Sequence, residues 1–217
     1  MRNSVLTSSR LAFALALCAV AFGCNTDPAK GKTQATVSSV TGAVAVSPAG
    51  AVNYAFSNDG SKIEFEGAKI TGKHQGSFAA FRGSIGLVDN DPTKSNVTAE
   101  IDILSLAVDP AKLSAHLKSA DFFNAEQFPK AKFASTSLKA GGVNGATHTV
   151  TGNLELHGVS RAITFPATIK VESDQVSVDA EFAINRKDFA IVYPGKPDDL
   201  IKDEVLMKLS LRAKKAQ

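Results

Sequence analysis

The chain has 217 residues, 44% hydrophobic and 21% charged, enough for one sizeable domain and too polar for an all-membrane protein. Its 24 Lys and Arg against 21 Asp and Glu leave a formal charge of only +3 with no basic stripe, which argues against nucleic-acid binding. Two Cys, four His and no Trp supply little for a cysteine-rich metal site, a thiol redox centre or an aromatic stacking platform.

Residues 1–23 carry Arg2 and Arg10, then an apolar run from Leu11 to Phe22, and no acidic residue. That is the make-up of a secretory signal peptide. The run is short for a spanning helix, and Asn25, Thr26, Asp27 and Pro28 follow it directly. Ala21-Phe22-Gly23-Cys24 resembles the bacterial lipobox, with Ala21 where Leu is usual. The resemblance implies that Cys24 is lipidated and becomes the first mature residue, so Cys18 leaves with the signal and export does not imply a disulfide. Loss of Arg2 and Arg10 brings the two signs nearly level, so membrane attachment would rest on the acyl chains. In likeness to lipoprotein sorting signals, Asn25 replaces the Asp that retains such proteins at the inner membrane, pointing to the periplasmic face of the outer membrane. Residues 24–36, rich in Thr, Lys, Gly and small polar residues, read as a flexible tether to a domain at 37–217.

From residue 37 onward the apolar residues recur mostly at period two, in short segments rich in Val, Ile, Phe and Thr and punctuated by Gly, Asn, Asp and Pro. Strands are predicted near 50–57, 62–70, 76–88, 96–107, 131–139, 147–157, 163–171, 176–184 and 204–214. The alternation is clearest where Ile163, Phe165, Ala167 and Ile169 oppose Thr164, Pro166, Thr168 and Lys170, followed by a hairpin at 172–175. Gly67, Gly72, Gly76, Gly83 and Gly86 would let the sheet curl, or another group approach closely. Between 109 and 123, Pro110 opens a helical turn with Leu113, Leu117 and Ala120 on one face. Residues 190–203, with Pro194, Gly195 and Pro197, read as a long loop. One-sided strands with little helix to cover an open sheet favour an all-β closed antiparallel barrel, or two packed sheets, of about eight strands and a short helix.

Catalytic motifs are missing from this pattern. His74, His116, His148 and His157 form no His-x-His or His-Glu-x-x-His pair, so no metal site is assigned. No serine stands in a Gly-x-Ser-x-Gly elbow. Glu64, Glu66, Glu155 and Glu181 fall opposite the apolar series and read as solvated strand faces. Neither an enzyme nor a resident cofactor is indicated. Parity instead directs Phe65, Phe78, Phe81, Ile101, Ile103 and Phe133 to a common interior. Leu154, Leu156, Phe165, Phe182, Ile184, Met207 and Leu209 join them there. Parity alone leaves a packed core and a lined cavity equal.

Several ordered stretches resemble the YceI-like family of exported bacterial proteins. They are Phe78-Ala79-Ala80-Phe81-Arg82-Gly83-Ser84-Ile85; His116-Leu117-Lys118-Ser119-Ala120-Asp121-Phe122-Phe123; Gly152-Asn153-Leu154-Glu155-Leu156-His157-Gly158-Val159-Ser160-Arg161; and Arg186-Lys187-Asp188-Phe189. The likeness covers roughly 50–214. It implies an elongated lipocalin-like barrel whose apolar interior holds a polyisoprenoid or isoprenoid-quinone chain, with His116 near the barrel opening. Leu113-Ser114-Ala115 stands where the family often has Arg-Asp before His-Leu. The resemblance therefore favours a lined tunnel and non-catalytic lipid binding at the envelope. The alternative is a packed envelope scaffold presenting the 190–203 loop to a partner.

Overall fold

The computed structural model describes residues 27–40, 42 and 48–216; the signal 1–23 and the lipidation site Cys24 lie outside the described residues. In chain order the strands are β1 (Thr36–Ser38), β2 (Val52–Ser57), β3 (Lys62–Lys69), β4 (Gly72–Phe78), β5 (Phe81–Val88), β6 (Asp91–Asp102) and β7 (Leu106–Val108). Helix α1 (Ala111–Lys118) follows, then β8 (Lys130–Ala140), β9 (His148–Leu156), β10 (Val159–Val171) and β11 (Gln175–Asn185). A small hairpin of β12 (Gly195–Lys196) and β13 (Asp199–Leu200) precedes β14 (Glu204–Lys215). Eight strands, β2, β5, β6, β8, β9, β10, β11 and β14, close an antiparallel barrel, the all-β architecture with one short helix that the alternating pattern predicts.

The barrel is lengthened by a kink at one level. The strand expected at 76–88 is two, β4 and β5, parted at Ala79-Ala80, and 96–107 divides into β6 and β7 around a turn at Ile103–Ser105. Backbone bonds tie the two bends together, Asp102 N to Ala80 O at 3.0 Å and Ala79 N to Ser105 O at 3.2 Å. Ser105 Oγ accepts from Ala80 N at 2.9 Å. Strand β14 spans the kink, pairing with β3 at one end and β2 at the other. Between those pairings Ser61 Oγ accepts from Arg212 N at 2.9 Å. Beyond the kink β3, β4 and β7 carry the wall on, and where β7 ends the helix takes over. Ser114 Oγ accepts from Val108 N at 2.7 Å and donates to Val108 O at 2.9 Å, so the residue that departs from the family pattern satisfies the edge of β7.

The glycines divide into two kinds. Gly67 and Gly72 face open space, whereas Gly76 and Gly83 each lie beneath a phenylalanine ring of the neighbouring strand, Phe65 and Phe56 respectively. Gly152 takes the ring of Phe133 in the same way. A Cβ on Gly83 would stand 2.1 Å from Phe56 Cζ and 2.4 Å from the carbonyl oxygen of Thr98. Gly83→Ala is therefore expected to lower the unfolding free energy by about 1–3 kcal/mol in urea titrations. Gly67→Ala should leave it nearly unchanged; equal effects of the two would show that the rings do not depend on these glycines.

Two segments differ from their expected character. Much of the stretch read as a tether is docked: Ala29 is buried, Ala35 N donates to Ala183 O and Ala183 N to Thr33 O, both at 2.8 Å, and β1 pairs with β10. Glu66 lies on the outer face, as parity requires, yet is buried rather than solvated, because the stems of Lys73 and Lys208 close over it. Its carboxylate is 2.7 Å from Lys73 Nζ and 3.2 Å from Lys208 Nζ. The bond from Lys73 holds the Glu66 pKa below the usual carboxylate range, against the upward push of burial and with help from Lys208. A lowered folded-state pKa gives stability that is present above the unfolded value and lost as pH falls through the folded one. Glu66→Gln should thus lower the melting temperature at neutral pH, and the gap from wild type should narrow as pH drops below the ordinary glutamate range. A gap independent of pH would show that the ion pairs contribute nothing.

Candidate functional site

The inward faces of the barrel strands enclose an elongated core, and within it remains a cavity of about 120 Å³ with wholly apolar walls. Of the predicted interior residues, Ile101, Phe133, Leu154, Phe165, Phe182, Ile184, Met207 and Leu209 line it. Phe56, Ile63, Val97, Ala99, Leu138, Val150, Ile163, Ile169, Val178 and Leu211 complete the wall. The rings of Phe165 and Phe182 stack at 4.2 Å with only 16° between their planes, forming one side of the space.

Other predicted lining residues do not reach the cavity. Phe65, Phe78, Phe81, Ile103 and Leu156 are buried in the core, but are not among the cavity residues. Phe65 and Phe78 pack at 5.6 Å, and Phe78 meets Phe123, just past the helix, edge-on at 6.4 Å. That end of the barrel is filled with side chains because the helix, carrying Leu113 and Leu117, packs against the core there.

His116 also stands away from the cavity. Its Nε2 donates to Asp121 Oδ2 at 2.9 Å, and its ring is edge-on to Phe122 at 5.0 Å and to Tyr193 at 5.2 Å. The imidazole thus joins the helix region to the 190–203 loop. That loop is fixed on several sides. Asp199 accepts bonds from Lys69 and from the backbone and hydroxyl of Thr71, and Ile70 N donates to Leu200 O at 3.1 Å. The bond from Lys69, with those from Thr71, holds the Asp199 carboxyl below the usual range.

Arg186, buried to 5% exposure, anchors the same loop from beneath. Its guanidinium donates to Ile191 O at 2.7 Å, Lys202 O at 3.1 Å and Asp203 Oδ1 at 3.1 Å. Burial pushes its pKa down and Asp203 opposes the shift, leaving it a cation at physiological pH. His157, at a left-handed turn position, donates from Nδ1 to Phe189 O at 3.0 Å; His74 donates to Asp109 O at 3.1 Å. Both are structural clips. His148 is partly buried, which lowers its pKa against the pull of Asp91.

Among the described residues, the cavity walls supply no polar atom for a head group, no nucleophile and no acid–base pair. It can retain hydrocarbon by exclusion of water, worth roughly 25 cal/mol per Å² of apolar surface buried. A far larger concavity of about 940 Å³ lies on the outer face of the sheet, where Arg82, Glu100, Lys132 and Glu155 mingle with Ala55, Ser84 and Ala134. It is open and mixed in character, and it is a surface feature separate from the interior.

Residues 54–213 match the YceI-like domain. A UPF0312 protein of Pseudomonas putida is 34% identical over 126 residues, 55% of this chain and 65% of that protein. The YceI protein of Salmonella arizonae is 34% identical over 122 residues, 54% of this chain and 62% of its own length. The chain thus spans less than two thirds of the length of these relatives. Among solved structures, Burkholderia cenocepacia BcnA superposes with a TM-score of 0.65 at 22% identity, over 72% of this chain and 98% of that one. A polyisoprenoid-binding domain from Saccharophagus degradans gives 0.60 at 14% identity, over 76% and 99%. With a family match across nearly all of the barrel and the same fold in these neighbours, the chain belongs to the YceI-like family.

Proposed function

We propose that this protein binds the hydrocarbon chain of an amphiphilic lipid, a polyisoprenoid or isoprenoid quinone, inside the barrel, without covalent chemistry, at the bacterial cell envelope. The wholly apolar cavity at the barrel centre carries the reading. The Saccharophagus neighbour of the same fold, a polyisoprenoid-binding domain, supports it. At about 120 Å³ the space resembles an engineered apolar cavity of about 150 Å³ that accepts benzene. A prenyl chain would therefore be accommodated by movement of the Phe165–Phe182 stack and of Met207, whose thioether side chain re-packs readily. The tight stack equally favours a second reading, a packed envelope scaffold that presents the 190–203 loop.

Native mass spectrometry of the protein drawn from its own membranes, followed by lipid extraction, separates the two. The lipid-binding reading expects a non-covalent prenyl compound released on unfolding. A barrel that carries only covalent acyl mass, and takes up no polyprenol on incubation, would leave the scaffold. The anchor belongs to the same proposal: Cys24→Ala is expected to abolish acylation and membrane retention, and normal processing with full retention would reject lipidation there.

A further inference from the structure

We propose that residues 33–38 are a removable piece of the barrel wall, and that the seam they fill between β10 and β11 is the lateral passage by which a hydrocarbon chain reaches the cavity; this rests on the lipid-binding reading above. The two strands pair directly only from Thr168 to Val171 with Val176 to Asp179, beside their hairpin. Past that point their facing edges part. The N-terminal segment lies between them: β1 pairs Thr36, Val37 and Ser38 with Thr164, Ile163 and Ala162 of β10, while Ala183 of β11 exchanges backbone bonds with Thr33 and Ala35.

The segment is part of the wall, because Ala35 and Val37 pack against the core. Directly behind the seam stand Ile163 and Phe165 of β10 and Phe182 and Ile184 of β11, all four lining the cavity. Displacing the strap would expose the stacked phenylalanines, the group that must move to admit a chain.

The other interruptions of the ladder are closed differently. Ser61, Ser105 and Ser114 fill three of them with a hydroxyl that accepts from the open backbone N–H. The strap is held by its few backbone bonds, by the two small, partly buried side chains Ala35 and Val37, by Asn144 Nδ2 donating to Thr33 Oγ1 at 2.8 Å, and by an exposed Lys32–Glu181 ion pair that contributes little in water. A short segment with few bonds opens locally at a fraction of the cost of global unfolding, and the backbone edges it uncovers at the surface are satisfied by water. The strap follows Cys24 in sequence and precedes the first long barrel strand, so lipidation at Cys24 would tether the protein through the strap's N-terminal end.

Crosslinking tests the passage. In the full chain carrying Cys18→Ser and Cys24→Ser, the bridge partners Gln34 and Ala183 are both replaced by cysteine, leaving the introduced pair as the only thiols. A second pair, Thr36→Cys with Thr164→Cys, guards against distortion at the buried Ala183. Uptake of tritiated geranylgeraniol from phosphatidylcholine vesicles is followed for its rate and for the amount bound at equilibrium. Oxidation of either pair is expected to slow uptake at least about tenfold, with reductant restoring the rate and the equilibrium amount unaltered. Equal rates in oxidised and reduced protein, with normal equilibrium binding, would overturn the passage and leave lipid binding intact. No binding by the uncrosslinked parent would overturn the lipid reading, and the passage with it.

Discussion

Arg186→Met is expected to lower the unfolding free energy by about 3–5 kcal/mol and to release the 190–203 loop from the barrel end. Methionine fills much of the arginine volume but has no donors. The carbonyls of Ile191 and Lys202 would lose their bonds from the guanidinium, and Asp203 would keep only Lys187, 2.8 Å away. Each buried acceptor left without a partner costs about 1–3 kcal/mol. Lys187→Met, on the exposed side of the same carboxylate, removes a surface ion pair and should cost under about 1 kcal/mol. Chemical denaturation gives the two free energies, and proteolysis between 190 and 203 reports the release. Equal small losses in both variants would mean that the loop is held by its other contacts, with Ala68, Lys69, Ile70 and Thr71 and with the His116 and Phe122 rings, rather than by Arg186.

The barrel was legible in the sequence because each strand carries its own record of inside and outside. Phe165 and Ile169 alternate with Pro166 and Lys170, and a short turn leads to a second run of the same kind, so strand type and approximate position follow from local pattern, whereas the breaks within 76–88 and 96–107 do not. What the pattern lacks is the vertical coordinate. Phe65, Phe78 and Phe133 share inward parity, yet Phe133 lines the cavity while Phe65 and Phe78 pack beyond the kink near Phe123. The level at which a side chain sits depends on the register between strands distant in sequence, such as β14 with β3. The same reason hid Phe56, Val97 and Val178, whose inward faces place them at the cavity only once the barrel closes.

Charge and backbone gave subtler signals. Parity puts Glu66 on the correct face, but its burial is made by Lys73 across the β3–β4 pair and by Lys208, 142 positions away, which no local pattern shows. The docked strap, Thr33-Gln34-Ala35-Thr36-Val37-Ser38, is made mostly of small polar residues that read as free chain. Its order comes from unpaired edges on β10 and β11, a property of the barrel rather than of the strap. Gly76 and Gly83 read in the sequence as places of curvature or close approach; the rings of their direct cross-strand partners Phe65 and Phe56 show the second use.

Val178→Phe is expected to abolish binding of a polyprenol while leaving the barrel folded. Val178 is buried, points inward from β11 and lines the cavity, so the larger ring grows into the void instead of into packed neighbours. Filling a void avoids most of the roughly 1–3 kcal/mol that overpacking a dense core costs. Ala134→Phe is the matched control. Ala134 lies in the outer concavity, on the opposite side of the sheet from the interior, and a ring there should leave lipid occupancy as in wild type. The amount of tritiated geranylgeraniol retained after gel filtration, with the urea midpoint measured alongside, checks both variants. Retention should fall below about a tenth of wild type for Val178→Phe, the effect of a lost binding energy of about 1.4 kcal/mol or more. Full retention by a folded Val178→Phe would place the lipid elsewhere, and loss in Ala134→Phe instead would move it to the outer concavity, where a chain would meet Arg82 and Lys132 together with the small residues of β2 and β5.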